Sequence, residues 1–123
     1  MGQVSGFARA MSVRAILVSA ALGTLALTAR PVHAGVIEVH LKEQSFEPKT
    51  VSARPGDTIA FYNDDKELHS VFLPDHESLL AEHFIDPHAR YEIAIPATAD
   101  AATYNLVCTI HLNMKGTLQI IAK

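Results

Sequence analysis

The sequence predicts an all-β domain: a Greek-key sandwich of two sheets, with seven to eight short strands and little helix. Three observations carry this. Short runs alternate apolar with polar residues, the period of a half-buried strand. Clusters of Pro, Gly, Asn and Asp separate those runs and supply turns. The stretch that holds them, residues 35–123, is 89 residues long, enough for one domain. Alternation with one polar face further predicts antiparallel pairing.

Residues 1–34 read as a separate segment, a secretory signal peptide. Arg9 and Arg14 make a basic start with no acid. Residues 15–29 are apolar or small, and Val32-His33-Ala34 ends the segment on small residues. Cleavage is expected between Ala34 and Gly35. A membrane anchor is the competing reading, but the apolar run falls short of the ~20 residues a span needs, and Pro31 interrupts it. No twin-arginine pair is present, so a Sec-type route to the periplasm is expected. Residues 11–34 alone, starting at Met11, would still make a complete signal. No membrane anchor is expected to remain after cleavage.

The strands follow in order. Residues 36–41 put Ile37, Val39 and Leu41 on one face and leave His40 outside. Residues 50–53 follow Pro48, and Arg54-Pro55-Gly56-Asp57 is a strong turn signal. Residues 58–62 place Ile59 and Phe61 together; residues 63–67 are a polar loop. Residues 70–73 are a short strand with Val71 and Leu73 on one side. Residues 74–89 are the least regular part, with a short helix expected over 78–84 and Pro87 stopping anything longer. Residues 91–95 alternate cleanly, and 96–100 turn. Residues 103–108 place Tyr104, Leu106 and Cys108 on one face, and 116–121 turn Leu118 and Ile120 inward.

Charge and cysteine count exclude several classes. Lys+Arg is 10 against Asp+Glu 13, so no basic excess suggests nucleic acid as a partner. Loss of the leader removes three arginines and no acid, which takes the net charge from −3 to −6. The single Cys108 rules out an internal disulfide, a four-cysteine zinc site and covalently attached haem. An exported domain with one thiol needs an account of it. A buried inert cysteine is one; a metal ligand is the other.

The stretch from Cys108 through His111 to Met114 favours the ligand. It sets a thiolate, an imidazole and a thioether within seven residues, between two strands. Those donors suit copper, and one further imidazole would complete a His₂Cys set with a weak axial Met. His69, at the start of the strand over 70–73, is the best candidate for that imidazole.

These pieces in order resemble the cupredoxins, the type I blue copper proteins, on the amicyanin and plastocyanin side of the family. The matching residues are Phe46-Glu47-Pro48, Pro55-Gly56-Asp57-Thr58-Ile59, Phe61-Tyr62-Asn63-Asp64, His69-Ser70-Val71, and Tyr104, Leu106, Cys108, His111, Met114 and Gly116. The two-residue gap between His111 and Met114 is the short loop of amicyanin. The resemblance implies one type I copper per chain, with His69, Cys108 and His111 equatorial and Met114 axial. It implies that both histidines bind through Nδ1, and that His111 is an electron port near the surface, ringed by apolar residues. It implies a periplasmic one-electron carrier, monomeric and not an enzyme. Its redox partners would be a periplasmic dehydrogenase, such as methylamine dehydrogenase, and a c-type cytochrome. Two residues depart from the pattern: Ser70 stands where the family usually has Asn, and Leu112 where amicyanin usually has Pro.

His76, His83 and His88 read as surface or loop histidines. The sharper alternative makes them part of a copper storage or delivery protein. A third reading is a metal-free interaction module on the same fold. The acids Asp64, Asp65 and Glu67 read as a solvated loop that contributes to a docking field.

Overall fold

In the computed structural model, the structure describes residues 34–122, together with Gly2, Ala21 and Gly23. The leader expected over 1–34 lies, apart from those few positions, outside the described residues. Among the described residues no helix is long and apolar enough to cross a membrane.

Nine strands follow one another: β1 Val36–Lys42, β2 Ser45–Glu47, β3 Thr50–Ala53, β4 Thr58–Asn63, β5 His69–Val71, β6 His83–Ile85, β7 Arg90–Ala94, β8 Ala102–Val107 and β9 Lys115–Ile120. One sheet has the order β2-β1-β4-β7 and a second the order β3-β9-β8. The β5-β6 ladder reaches the second sheet through a bridge between Phe72 and Val107.

The inner faces are those the alternation predicts. Val39 lies opposite Phe61, and Ile59 opposite Ile37 and Ile93. Leu118 lies opposite Val51 and Tyr104. These rows join in one apolar cluster between the sheets. Burying each large side chain of this kind contributes about 1.5–3 kcal/mol.

The expectation of antiparallel pairing throughout is corrected. β1 runs parallel to β4, and β3 parallel to β9. The chain leaves the first sheet at β2, crosses to the second as β3, and returns as β4 in the direction of β1. Each strand still shows one face to the core, so the alternation is the same in either pairing.

The helix expected over 78–84 is also corrected. The amides of Leu79 and Leu80 both donate to the His76 carbonyl, which makes a single turn. The Leu80 carbonyl then accepts from the Leu73 amide, and residues 83–85 pair with β5 as a strand. This arrangement buries both Leu80 and Ile85. The short β2 is a further strand that the sequence reading passes over.

Two glycines have structural reasons. Gly56 sits at φ 91° in the turn that the Asp57 amide closes onto the Arg54 carbonyl, a type II turn with Pro55 leading. At Gly116 a Cβ would meet the Lys49 carbonyl oxygen at 2.6 Å. Only glycine lets β9 pass the chain between β2 and β3 so closely.

Candidate metal centre

The site lies where the end of β8 meets the start of β5. The Val107 amide donates to the Phe72 carbonyl (3.0 Å), which sets the two strand ends side by side. His69 opens β5 and is fully buried; Cys108 follows β8 and is 3% exposed. Between β8 and β9 the chain closes on itself. The Met114 amide donates to the His111 carbonyl (2.9 Å), and the Cys108 amide to the Met114 carbonyl (3.1 Å). That tight loop carries His111 and Met114 back toward Cys108.

The ligand atoms of His69, Cys108 and His111 all lie within 4.8 Å of one another, the one such group of three among the described residues. The two Nδ1 atoms are 3.1 Å apart, and Cys108 Sγ is 3.7 Å from His111 Nδ1. Donors about 2.0–2.3 Å from a common metal, at trigonal to tetrahedral angles, lie ~3.3–4.0 Å from each other. The two separations at His111 Nδ1 are close to that range, so the three side chains converge as candidates for a shared ion. Met114 is buried at the end of the same loop, within the core cluster.

Proton arithmetic points the same way. His69 Nε2 lies 2.6 Å from Asp65 Oδ2, and His111 Nε2 lies 3.2 Å from Glu67 Oε2. A carboxylate only accepts, so His69 Nε2 donates to Asp65, while Glu67 sets a negative charge beside His111 Nε2. Were both rings neutral with the hydrogen on Nε2, both Nδ1 lone pairs would face each other 3.1 Å apart. A cation shared by the two Nδ1 atoms and Cys108 Sγ would satisfy that arrangement.

The thiol is prepared for that role. Burial pushes the Cys108 thiol up, but the Ser70 amide, the His111 amide and ring, and the Ile110 amide outweigh it and bring it below the ordinary value. The Ser70 amide is 3.4 Å from Sγ. Ser70 Oγ also accepts from the Thr109 amide (2.8 Å), and Thr109 Oγ1 in turn meets Glu82. So Ser70, the departure from the family pattern, still ties the His69 strand to the Cys108 loop.

Asn63 holds the other side and is 1% exposed. Its Nδ2 donates to the carbonyls of Glu67 (2.8 Å) and Ile85 (2.9 Å), while its Oδ1 accepts from the Asp65 amide (3.0 Å). The sequence reading passes over Asn63, Asp65 and Glu67 as parts of the site. The one available signal was their place two to six residues before His69. Burial pushes the Asp65 carboxyl up, but the Glu43 amide, the His69 ring and the Gln44 amide hold it below its ordinary value.

The remaining histidines are engaged elsewhere. His76 tilts against Tyr104 and contacts Ser78, and His83 stacks on Tyr91 at 3.5 Å. His88 occupies a turn at φ 60°. His40, expected outside and found half-exposed, donates from Nδ1 to Asp64 Oδ2 (2.7 Å) and stacks on Tyr62. Near His111, Leu112 is 78% exposed, with Leu68 and Ile110 also open to solvent.

A protein-family model described as a cupredoxin-like domain matches residues 15–120. Among solved structures, the chain is similar to the reduced state of an amicyanin mutant, with 22% identity and a TM-score of 0.59, over 70% of this chain and 82% of that one. It is similar to the reduced Cu(I) form of another amicyanin mutant at pH 4, with 22% identity and a TM-score of 0.60, over the same shares of the two chains. A third amicyanin mutant, also reduced, matches at 23% identity and a TM-score of 0.60, over 71% of this chain and 83% of that one.

Proposed function

From the premise that the chain belongs to the cupredoxin-like domain family, we propose that it is a periplasmic one-electron carrier with a single type I copper. The observation that carries this reading is the pair of Nδ1 atoms 3.1 Å apart, one of them 3.7 Å from Cys108 Sγ. His69, Cys108, His111 and Met114 would hold the copper, the first three as the strong donors and Met114 as the weak one. Copper would supply the Cu(I)/Cu(II) couple. The chain supplies a cage that resists rearrangement: ligands at strand ends, a self-closed loop and a buried polar network. His111 is the ligand nearest solvent, its side chain 18% exposed, which makes it the port for a docking partner. Four protein donors would leave no position for a substrate, so this reading makes the protein a carrier and not an enzyme.

The leader over 1–34 is read as a cleaved Sec-type signal. With cleavage after Ala34, the new N-terminus at Gly35 would be tied to the domain by its bond to Asp57 Oδ1 (2.9 Å). The carrier is taken to be a monomer, passing electrons from a periplasmic dehydrogenase to a c-type cytochrome. At net −6 the processed chain would associate faster with a basic partner face, and less so as salt rises.

One equivalent of Cu(II) added to the processed protein should give an intense blue sulfur-to-copper band that a mild reductant bleaches reversibly. A colourless protein with Cys108 reduced and free would sink the proposal. Met114→Gln should keep copper but lower the potential, because a harder axial oxygen favours Cu(II). An unchanged potential by voltammetry would show that Met114 is not the axial ligand.

A further inference from the structure

The two-residue turn between β1 and β2 lies outside the loop that carries Cys108, His111 and Met114, yet it reaches both ligand histidines. Glu43 and Gln44 occupy it at φ 51° and 55°. A two-residue hairpin of this twist requires that left-handed pair, which normally calls for Asn or Gly. The Asp65 carboxylate supports the turn by accepting from the Glu43 amide at 2.9 Å and the Gln44 amide at 3.3 Å. The same carboxylate takes His69 Nε2 at 2.6 Å. The Gln44 side-chain amide donates to Glu67 Oε2 at 3.2 Å, and that oxygen lies within ion-pair distance of His111 Nε2 at 3.2 Å. One turn therefore anchors two carboxylates, one for each imidazole.

We propose that Asp65 and Glu67 are positioning residues of the metal centre, each fixing one histidine as the Nε2–H tautomer with its Nδ1 lone pair on copper, and each biasing the centre toward Cu(II). This rests on the copper reading of the site. A carboxylate on the outer ring N–H orients the ligand and raises its basicity, and losing such a partner typically costs about 10–100-fold in metal affinity. The added negative charge favours the dication over the monocation, so the loss falls mainly on Cu(II). The Glu67 side chain is 59% exposed, which places its effect at the lower end of that range.

The test uses Glu67→Gln and Glu67→Ala, with Asp64→Asn as control. Asp64 lies in the same loop, contacts His40 and touches neither ligand ring. Glu67→Gln should lower the Cu(II)-to-Cu(I) affinity ratio about tenfold, a rise of about 59 mV in potential for a one-electron couple. Asp64→Asn should move it by less than a third of that. An equal shift in the control, or none in Glu67→Gln, overturns the proposal. Nitrogen-15 imidazole spectra of the copper-free protein give a readout that needs no copper. The proton should sit on Nε2 of both rings, and in Glu67→Ala it should partly move to Nδ1 at His111 alone. A wild-type His111 already protonated at Nδ1 and bare at Nε2 overturns the clamp. A wild-type protein that binds no copper but shows the Nε2–H pair, lost in Glu67→Ala, supports the clamp and removes only the copper reading.

Discussion

Cys108→Ser abolishes the blue band and lowers Cu(II) affinity by more than the roughly 100-fold seen when an outer partner of a ligand is lost. Sulfur is the source of the charge-transfer intensity, so no other change at the site has an equal effect on colour. The serine hydroxyl stays protonated at neutral pH and is a hard donor, whereas the Cys108 thiol is lowered toward its thiolate by the Ser70 and His111 amides. The substitution nearly conserves volume, and the new oxygen still meets the Ser70 amide, so the copper-free fold should lose no more than about 1 kcal/mol. Absorption, isothermal titration with Cu(II) and urea unfolding of the copper-free protein separate these effects. A variant that stays blue at full intensity would remove Cys108 from the ligand set.

The contrast between Cys108 and Asp65 shows what the sequence makes legible. Cys108, His111 and Met114 are close in sequence, so one short loop suffices to bring them together, and their donor types name the metal. His69 is legible because it sits at a strand start. Asp65 and Glu67 look like any solvated acids until the loop curls and sets them on the outer ring nitrogens, and that curl depends on Asn63 reaching the Ile85 carbonyl in a strand 22 residues away. The same logic governs the fold. β1, β7, β8 and β9 alternate and declare themselves, and β4 does so by its β-rich apolar run. β2 and β6 are three residues each and exist because a neighbour pairs with them. β2 is masked further by a turn of Glu43-Gln44, which lacks the usual Asn or Gly and is held by Asp65 instead. Parallel pairing of β1 with β4 is a property of the route between sheets, which alternation does not encode.

Asn63→Ala should destabilise the copper-free protein by about 2–4 kcal/mol and weaken copper binding as well. The alanine removes three hydrogen bonds at once. It leaves the Ile85 carbonyl, the Glu67 carbonyl and the Asp65 amide without that partner. Each such group, buried and unsatisfied, costs about 1–3 kcal/mol, and access of water to the more exposed Glu67 and Asp65 keeps the total below the simple sum. With a urea slope of about 1 kcal/mol/M for a domain this small, the midpoint should fall by roughly 2–4 M. The loss is not confined to stability. Asn63 joins β4 to both the Asp65–Glu67 loop and β6, and those two elements hold His69 from either side. Loosening them frees the His69 ring, so copper should leave faster to a chelator, and the blue band should broaden before it is lost. A core truncation of comparable cost away from this network, such as Val51→Ala, supplies the comparison, because it lowers the midpoint without touching the loop. If both variants lose copper at the same rate when matched for stability, Asn63 acts through the fold alone. If Asn63→Ala loses it faster, the buried amide is what couples the sandwich to its metal.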